Sequence, residues 1–231
     1  SLTDFVFTMT RDVTVDEVNG LLRDAAVGPL AGFDVPGLLT ALEAYPWGCS
    51  EQLVSRATPL LYFAATARAL GLLPGDDLDA RIADAIRDVL ANQTGAGGFG
   101  LWSAEGGDSW LDAYVTDFLS RARALGHPVP DRAFDAALGN LTNLVNAYGD
   151  FEDGGQDLAY ALMVLARESR ASIGDLRYYA DTRADQFATP FAQAQLGYAL
   201  SLAGDQPRAD AMFALASAGA EAGEPEQPYR A

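Results

Sequence analysis

One cysteine stands in this chain, at position 49, and a glutamine follows it three residues later at Gln52. The spacing decides what that pair can do. If the segment turns into a helix, residues three apart share one face, and the Cys49 sulfur reaches the Gln52 side-chain carbonyl. A thiolate that attacks the amide and expels ammonia leaves an internal thioester. Sulfur feeds less electron density into the carbonyl than nitrogen does and leaves more readily, so the product is a strong acyl donor. A helix N-terminus favours the thiolate and a developing oxyanion. Gly48, just before the cysteine, gives the backbone room for a tight ring. A bare Cys-x-x-Gln also fits a small buried hydrophobe beside a helix start.

The surrounding residues narrow the choice. Tyr45-Pro46-Trp47-Gly48-Cys49-Ser50-Glu51-Gln52 resembles the thioester signature of the α2-macroglobulin and complement superfamily, in its bacterial form. Pro59, Gly97 to Trp102, Trp110 to Phe118 and Gly174 to Asp181 resemble the same branch. The likeness runs from about residue 29 to the end; Trp47 stands where tyrosine is usual. It implies that Cys49 is the leaving group, Gln52 the acyl donor, and Gly48 and Glu51 support for the turn. Tyr45 and Trp47 are candidates to shield the bond from water, with Phe99 and Trp102 behind them; ordinary core packing explains the first two equally well. The resemblance further implies a non-enzymatic, broad-range protease inhibitor of the bacterial periplasm. Its partners would be target proteases, captured through lysine amines, and the other macroglobulin domains of a parent chain. Some members of the superfamily pass the acyl group to hydroxyls through a histidine. Nothing places His127 in that role, so amine acceptors are expected.

Composition bounds the remaining classes. The 231 residues carry 32 acids against 15 bases, a net charge of -17 that repels nucleic acid and anionic membrane surfaces. No apolar run approaches the ~20 residues of a membrane span, so no direct membrane insertion is expected. The chain opens without the basic region of a signal peptide. One cysteine excludes an internal disulfide. All 15 bases are arginine. A surface without lysine spares a thioester from its own amines, and a GC-rich coding sequence produces the same bias. The single histidine, His127, has no partner at metal-ligand spacing, and no cofactor or metal is expected.

The elements that must position Cys49 and Gln52 are helical. A helix is expected from Ser50 to about Leu70, with Thr58-Pro59 as a kink or restart. Leu78, Ile82, Ile86 and Val89 mark an amphipathic helix. Gly95 to Gly100 reads as a structural turn, because no strand leads in and no Gly-Lys-Ser/Thr follows. Residues 109–125, 157–167 and 190–202 are largely apolar; residues 131–147, 173–183 and 207–219 are amphipathic or mixed. Buried helices alternating with amphipathic ones predict stacked helical hairpins, in an open solenoid or a closed ring. The resemblance selects an all-α fold, the α/α toroid, over residues 33–231. The family's ring continues past Ala231, so the ring is expected to be incomplete at the C-terminus.

Residues 1–32 read differently, as a strand–helix appendage. Phe5, Phe7 and Met9 alternate, and Thr14 to Glu17 forms a capping box. Arg11 to Asn19 and Ala25 to Leu30 resemble a piece of the glyceraldehyde-3-phosphate dehydrogenase catalytic domain, which suggests a chimera joined near Pro29. The catalytic motifs of that family are absent. Two other classes compete with the leading reading. One is a helical scaffold or binding module with a free Cys49. The other is an α/α-toroid enzyme such as a terpene cyclase, disfavoured by the lack of an aspartate-rich metal motif.

Overall fold

The computed structural model of the chain describes residues 48–69, 75–149 and 154–222. The strand–helix appendage expected over 1–32 and the candidates Tyr45 and Trp47 lie outside the described residues. The sequence predicts fraying from Glu221 to Ala231; Glu221 and Ala222 belong to the last helix, and the rest of that tail lies outside the described residues.

The described residues form eight α-helices: α1 (Ser50–Ala69), α2 (Gly75–Ala91), α3 (Ser109–Ala124), α4 (Asp131–Ala147), α5 (Gln156–Arg167), α6 (Ile173–Thr182), α7 (Pro190–Leu202) and α8 (Gln206–Ala222). A single 3₁₀ turn, Ala184–Gln186, lies between α6 and α7. Residue type explains most of the boundaries. Asp108 caps α3 by accepting the Leu111 N–H at 2.8 Å, and Thr189 caps α7 by accepting the Ala192 N–H at 3.1 Å, with Pro190 at the first helical position. Gly126 and Gly204 follow α3 and α7 at φ 89° and 80°, the left-handed region that ends helices.

The odd-numbered helices pack on one another in sequence, α1 on α3, α3 on α5 and α5 on α7. The even-numbered helices cover them: α2 lies on α1, α4 on α3 and α5, α6 and α8 on α7. This is the α/α-toroid arrangement of helical hairpins, with an inner and an outer layer. Burial follows the layers. In α5 every residue from Leu158 to Leu165 is buried, as a helix enclosed on all sides requires. In α4 only one stripe is buried, Phe134, Ala137, Leu138, Leu141 and Val145. The inner neighbours run parallel. Ser55 of α1 meets Tyr114 of α3 at 2.8 Å, and seven residues further along each helix Arg121 donates to the Tyr62 hydroxyl at 3.0 Å.

Two expectations are corrected. Helix α1 passes through Pro59 without a restart. Thr58 does not cap a new helix: its hydroxyl donates to the Val54 carbonyl one turn back, at 2.8 Å. Packing of Val54, Ala57, Leu60 and Leu61 into the core outweighs the hydrogen bond that proline removes. Helix α3 is not buried all round either. Trp110 is exposed and stacks on Tyr114 with ring centroids 4.8 Å apart.

Candidate functional site

Cys49 is the last residue before α1, and its carbonyl accepts the first intrahelical bond, from the Leu53 N–H at 2.9 Å. It is therefore the N-cap, and Gln52 is the third helical residue. In a capping box the side chain at each of those positions bonds the backbone N–H of the other, so the two positions are neighbours at a helix start. The Cys49 side chain is buried. Gln52 Oε1 is also buried, and among the described residues it has no hydrogen-bond partner. A buried amide oxygen without a donor costs about 1–3 kcal/mol, and most buried polar groups in proteins avoid that cost. Glu51, between them, is exposed and sits in the first turn, where a negative charge complements the helix dipole. A side chain at Gly48 would press on the tip of Leu53 at 3.2 Å.

Cysteine is a poor N-cap, and the first turn is held from outside instead. The Ser50 N–H donates to the Leu101 carbonyl at 2.8 Å. The Ser50 hydroxyl donates to the Gly100 carbonyl at 2.6 Å and accepts from Asn92 Nδ2 at 2.9 Å. The glycine-rich turn thus serves α1 as an external cap. Its glycines are structural, as the sequence suggests. A Cβ on Gly100 would lie 2.0 Å from the Ser103 carbonyl oxygen, and one on Gly97, at φ 99°, 2.1 Å from that of Ala136. The turn is anchored on its far side by Asp112 of α3, which accepts from the Phe99 N–H at 2.6 Å and from Asn140 Nδ2 of α4 at 2.7 Å. Burial pushes the Asp112 carboxyl above the usual carboxylate range; those two hydrogen bonds pull the other way, and Asp108 adds to the rise.

Of the two weaker shield candidates, Phe99 is 1% exposed and part of the core, whereas Trp102 is 64% exposed. Leu101, whose carbonyl holds Ser50, is exposed as well. Trp110 joins this end of the molecule. The register that pairs Ser55 with Tyr114 puts Trp110 level with Glu51 one turn earlier. His127 follows α3 at its other end, and α3 has 16 residues, so a rise of about 1.5 Å per residue puts His127 roughly 24 Å along the parallel pair from Cys49. Among the described residues no cluster of three His, Cys, Asp or Glu can hold a metal ion, and no described helix is long and apolar enough to cross a membrane. Sequence reasoning missed Ser50, Asn92, Asp112 and Asn140. Ser50 and Asp112 lie inside stretches that carry the resemblance; the polar type of Ser50 at a helix start, and of Asp112 among apolar neighbours, was the only signal.

The chain is 38% identical over 189 residues to the α2-macroglobulin of Escherichia coli (strain K12), covering 76% of this chain and 11% of that protein. It is 32% identical to the α2-macroglobulin of Xylella fastidiosa (strain Temecula1), covering 94% of this chain and 14% of that protein. Most of this chain is homologous to a stretch of the bacterial α2-macroglobulins. Solved structures agree. The crystal structure of Salmonella α2-macroglobulin reacted with methylamine superposes with a TM-score of 0.71 and 34% identity, over 80% of this chain and 13% of that one. Trypsin-activated α2-macroglobulin from Escherichia coli superposes with a TM-score of 0.66 and 34% identity, over 75% and 13%. No protein-family model matches the chain. The dehydrogenase resemblance of the first 32 residues finds no support. The Xylella match leaves only 6% of this chain unpaired, too little to contain that segment, so the macroglobulin likeness extends into it.

Proposed function

We propose that this chain is the thioester-bearing domain of a bacterial α2-macroglobulin-like protease trap, and that Cys49 and Gln52 form its reactive bond. The observation that carries this reading is the first turn of α1: a buried thiol at the N-cap and a buried, unpartnered amide oxygen three residues on. In bond formation Cys49 Sγ adds to the Gln52 side-chain carbonyl carbon. The amide nitrogen leaves as ammonia, taking up the thiol proton. The thioester stays intact while water is kept away. When the parent protein is cut by a protease and rearranges, a lysine amine of that protease attacks the acyl carbon. Cys49 leaves as a thiol, receiving the proton the amine gives up, and the attacker is held by an amide. The bond is spent once, so the domain turns nothing over and needs no cofactor.

The similarity to the Salmonella protein reacted with methylamine supports an amine acceptor, and the similarity to the trypsin-activated Escherichia coli protein supports a protease as target. The distance of His127 from Cys49 favours amines over hydroxyls. Trapping requires a bait region and partner domains from the parent chain, which we place in the periplasm.

Intact mass of the purified chain with and without methylamine, together with a thiol assay, tests the reading. A mass short by one ammonia, with no free thiol until methylamine is added, is the expected result. Full mass with one free thiol and an unmodified Gln52 would leave a helical scaffold with a buried cysteine.

A further inference from the structure

The capping bonds at the start of α1 form one connected path across four elements. Asn140 of α4 donates to Asp112 of α3. Asp112 accepts the Phe99 N–H of the glycine-rich turn. The next residue of that turn, Gly100, donates its N–H to the Asn92 carbonyl at 3.0 Å. Asn92 Nδ2 and the Gly100 carbonyl then both engage the Ser50 hydroxyl. The Ser50 side chain is fully buried, although it occupies the first turn of a helix, where side chains usually face water. A serine or aspartate at the N-cap would stabilise that turn by itself. Cysteine accepts hydrogen bonds weakly, and once acylated its sulfur has no proton to give. Closing a ring between positions 49 and 52 needs a first turn that does not fray, and the local sequence does not supply one.

We propose that Asp112 is a positioning residue for the Cys49–Gln52 bond, acting through the glycine-rich turn and Ser50 to fix the first turn of α1. The proposal rests on the thioester reading above. Asp112 touches neither Cys49 nor Gln52. It sets where the Gly100 and Leu101 carbonyls stand, and those carbonyls set where Ser50 stands. The half-buried position of Asp112 fits this role, because a carboxylate drawn out of water is retained where its two acceptor oxygens are both used.

The test compares Asp112→Ala, Asp112→Asn and Asp117→Ala with the wild-type chain. Intact mass gives the fraction carrying the thioester, and release of free thiol gives its hydrolysis rate. Circular dichroism fixes a temperature at which each variant is folded. Asp112→Ala is expected to lower the thioester fraction, or raise its hydrolysis rate, about tenfold, the size of one lost charge-assisted hydrogen bond. Asp112→Asn keeps an acceptor oxygen for the Phe99 N–H and is expected to return to within about twofold of wild type. Asp117→Ala weakens the same helix without touching the turn and should keep the wild-type fraction. If Asp112→Ala does not fold, Ser50→Ala at the other end of the path must show the tenfold effect. Wild-type behaviour of Asp112→Ala, failure of Asp112→Asn to recover, or an equal loss in Asp117→Ala would overturn the proposal while leaving the thioester intact. A wild-type chain that carries no thioester would overturn both readings at once.

Discussion

Replacing Asp117 with alanine should weaken the packing of α3 against α5 and against α1 around Tyr62, twelve residues past the start of the first turn that holds Cys49 and Gln52. The Asp117 side chain is 4% exposed. Its Oδ2 accepts from Arg121 Nε at 2.9 Å and from the Tyr160 hydroxyl at 3.0 Å. Its Oδ1 accepts from Arg167 Nη1. Arg121 also donates to Tyr62 of α1, so one carboxylate ties α3 to α5 directly and to α1 through Arg121. The two arginine side chains are only 23% and 19% exposed. Breaking a buried ion pair by removing one partner costs about 3–5 kcal/mol, because the other charge is left buried without a counter-charge. Here water recovers part of that through the exposed fifth of each arginine, so the lower end, about 3 kcal/mol, is expected. For a chain of this size each kcal/mol lowers Tm by about 2–4 °C, which gives a drop of about 6–12 °C. Urea denaturation followed by far-ultraviolet circular dichroism measures the loss. Asp135→Ala is the control: its partner Arg170 lies 2.9 Å away, but both side chains are more than half exposed, and such a pair contributes under about 1 kcal/mol. A loss below about 1 kcal/mol for Asp117→Ala, or one equal to the control, would refute the reasoning.

Phe99 and Trp102 should separate cleanly as alanine variants. Phe99→Ala leaves a cavity in the core and is expected to cost about 3–5 kcal/mol, whereas Trp102→Ala is expected within about 0.5 kcal/mol of wild type in the same urea titration. Thioester hydrolysis should then report on shielding only for Trp102. Acid should loosen the α6–α8 contact. Hydrogen bonding and charge from Arg177, then charge and hydrogen bonding from Arg208, hold the Asp205 carboxyl below its ordinary value of 3.8. A lowered folded pKa gives stability that is present above the ordinary value and lost as pH falls through the lowered one. Asp205→Asn should therefore flatten the fall of the urea midpoint in that acid window. Asp112 has the opposite sign: burial raises its folded pKa, so its contribution is present below the ordinary aspartate value and lost as pH rises through the raised one.

The chain's own text determined the layers of this fold. The alternation of apolar and amphipathic segments is a local periodicity, and a helix turned toward the core on one face or on all faces writes it directly into the sequence. The starts of the stretches 131–147 and 190–202 were legible because Pro130 precedes the first and Thr189 with Pro190 opens the second. The placing of Cys49 and Gln52 together at one helix start was legible for the same reason, since three residues is a spacing one helical turn fixes. Tertiary structure decided what lies farther apart. Pro59 stays inside α1 because core packing on both sides overrides a local breaker. Phe99 and Trp102 are aromatics three apart in a turn without periodicity, and only the fold chose which would be buried. Asn92 reaches Ser50 across 42 residues and Asn140 reaches Asp112 across 28. Polar partners at such separations leave no periodic trace, because a hydrogen bond depends on where two elements meet and that meeting is set by the packing of the helices between them.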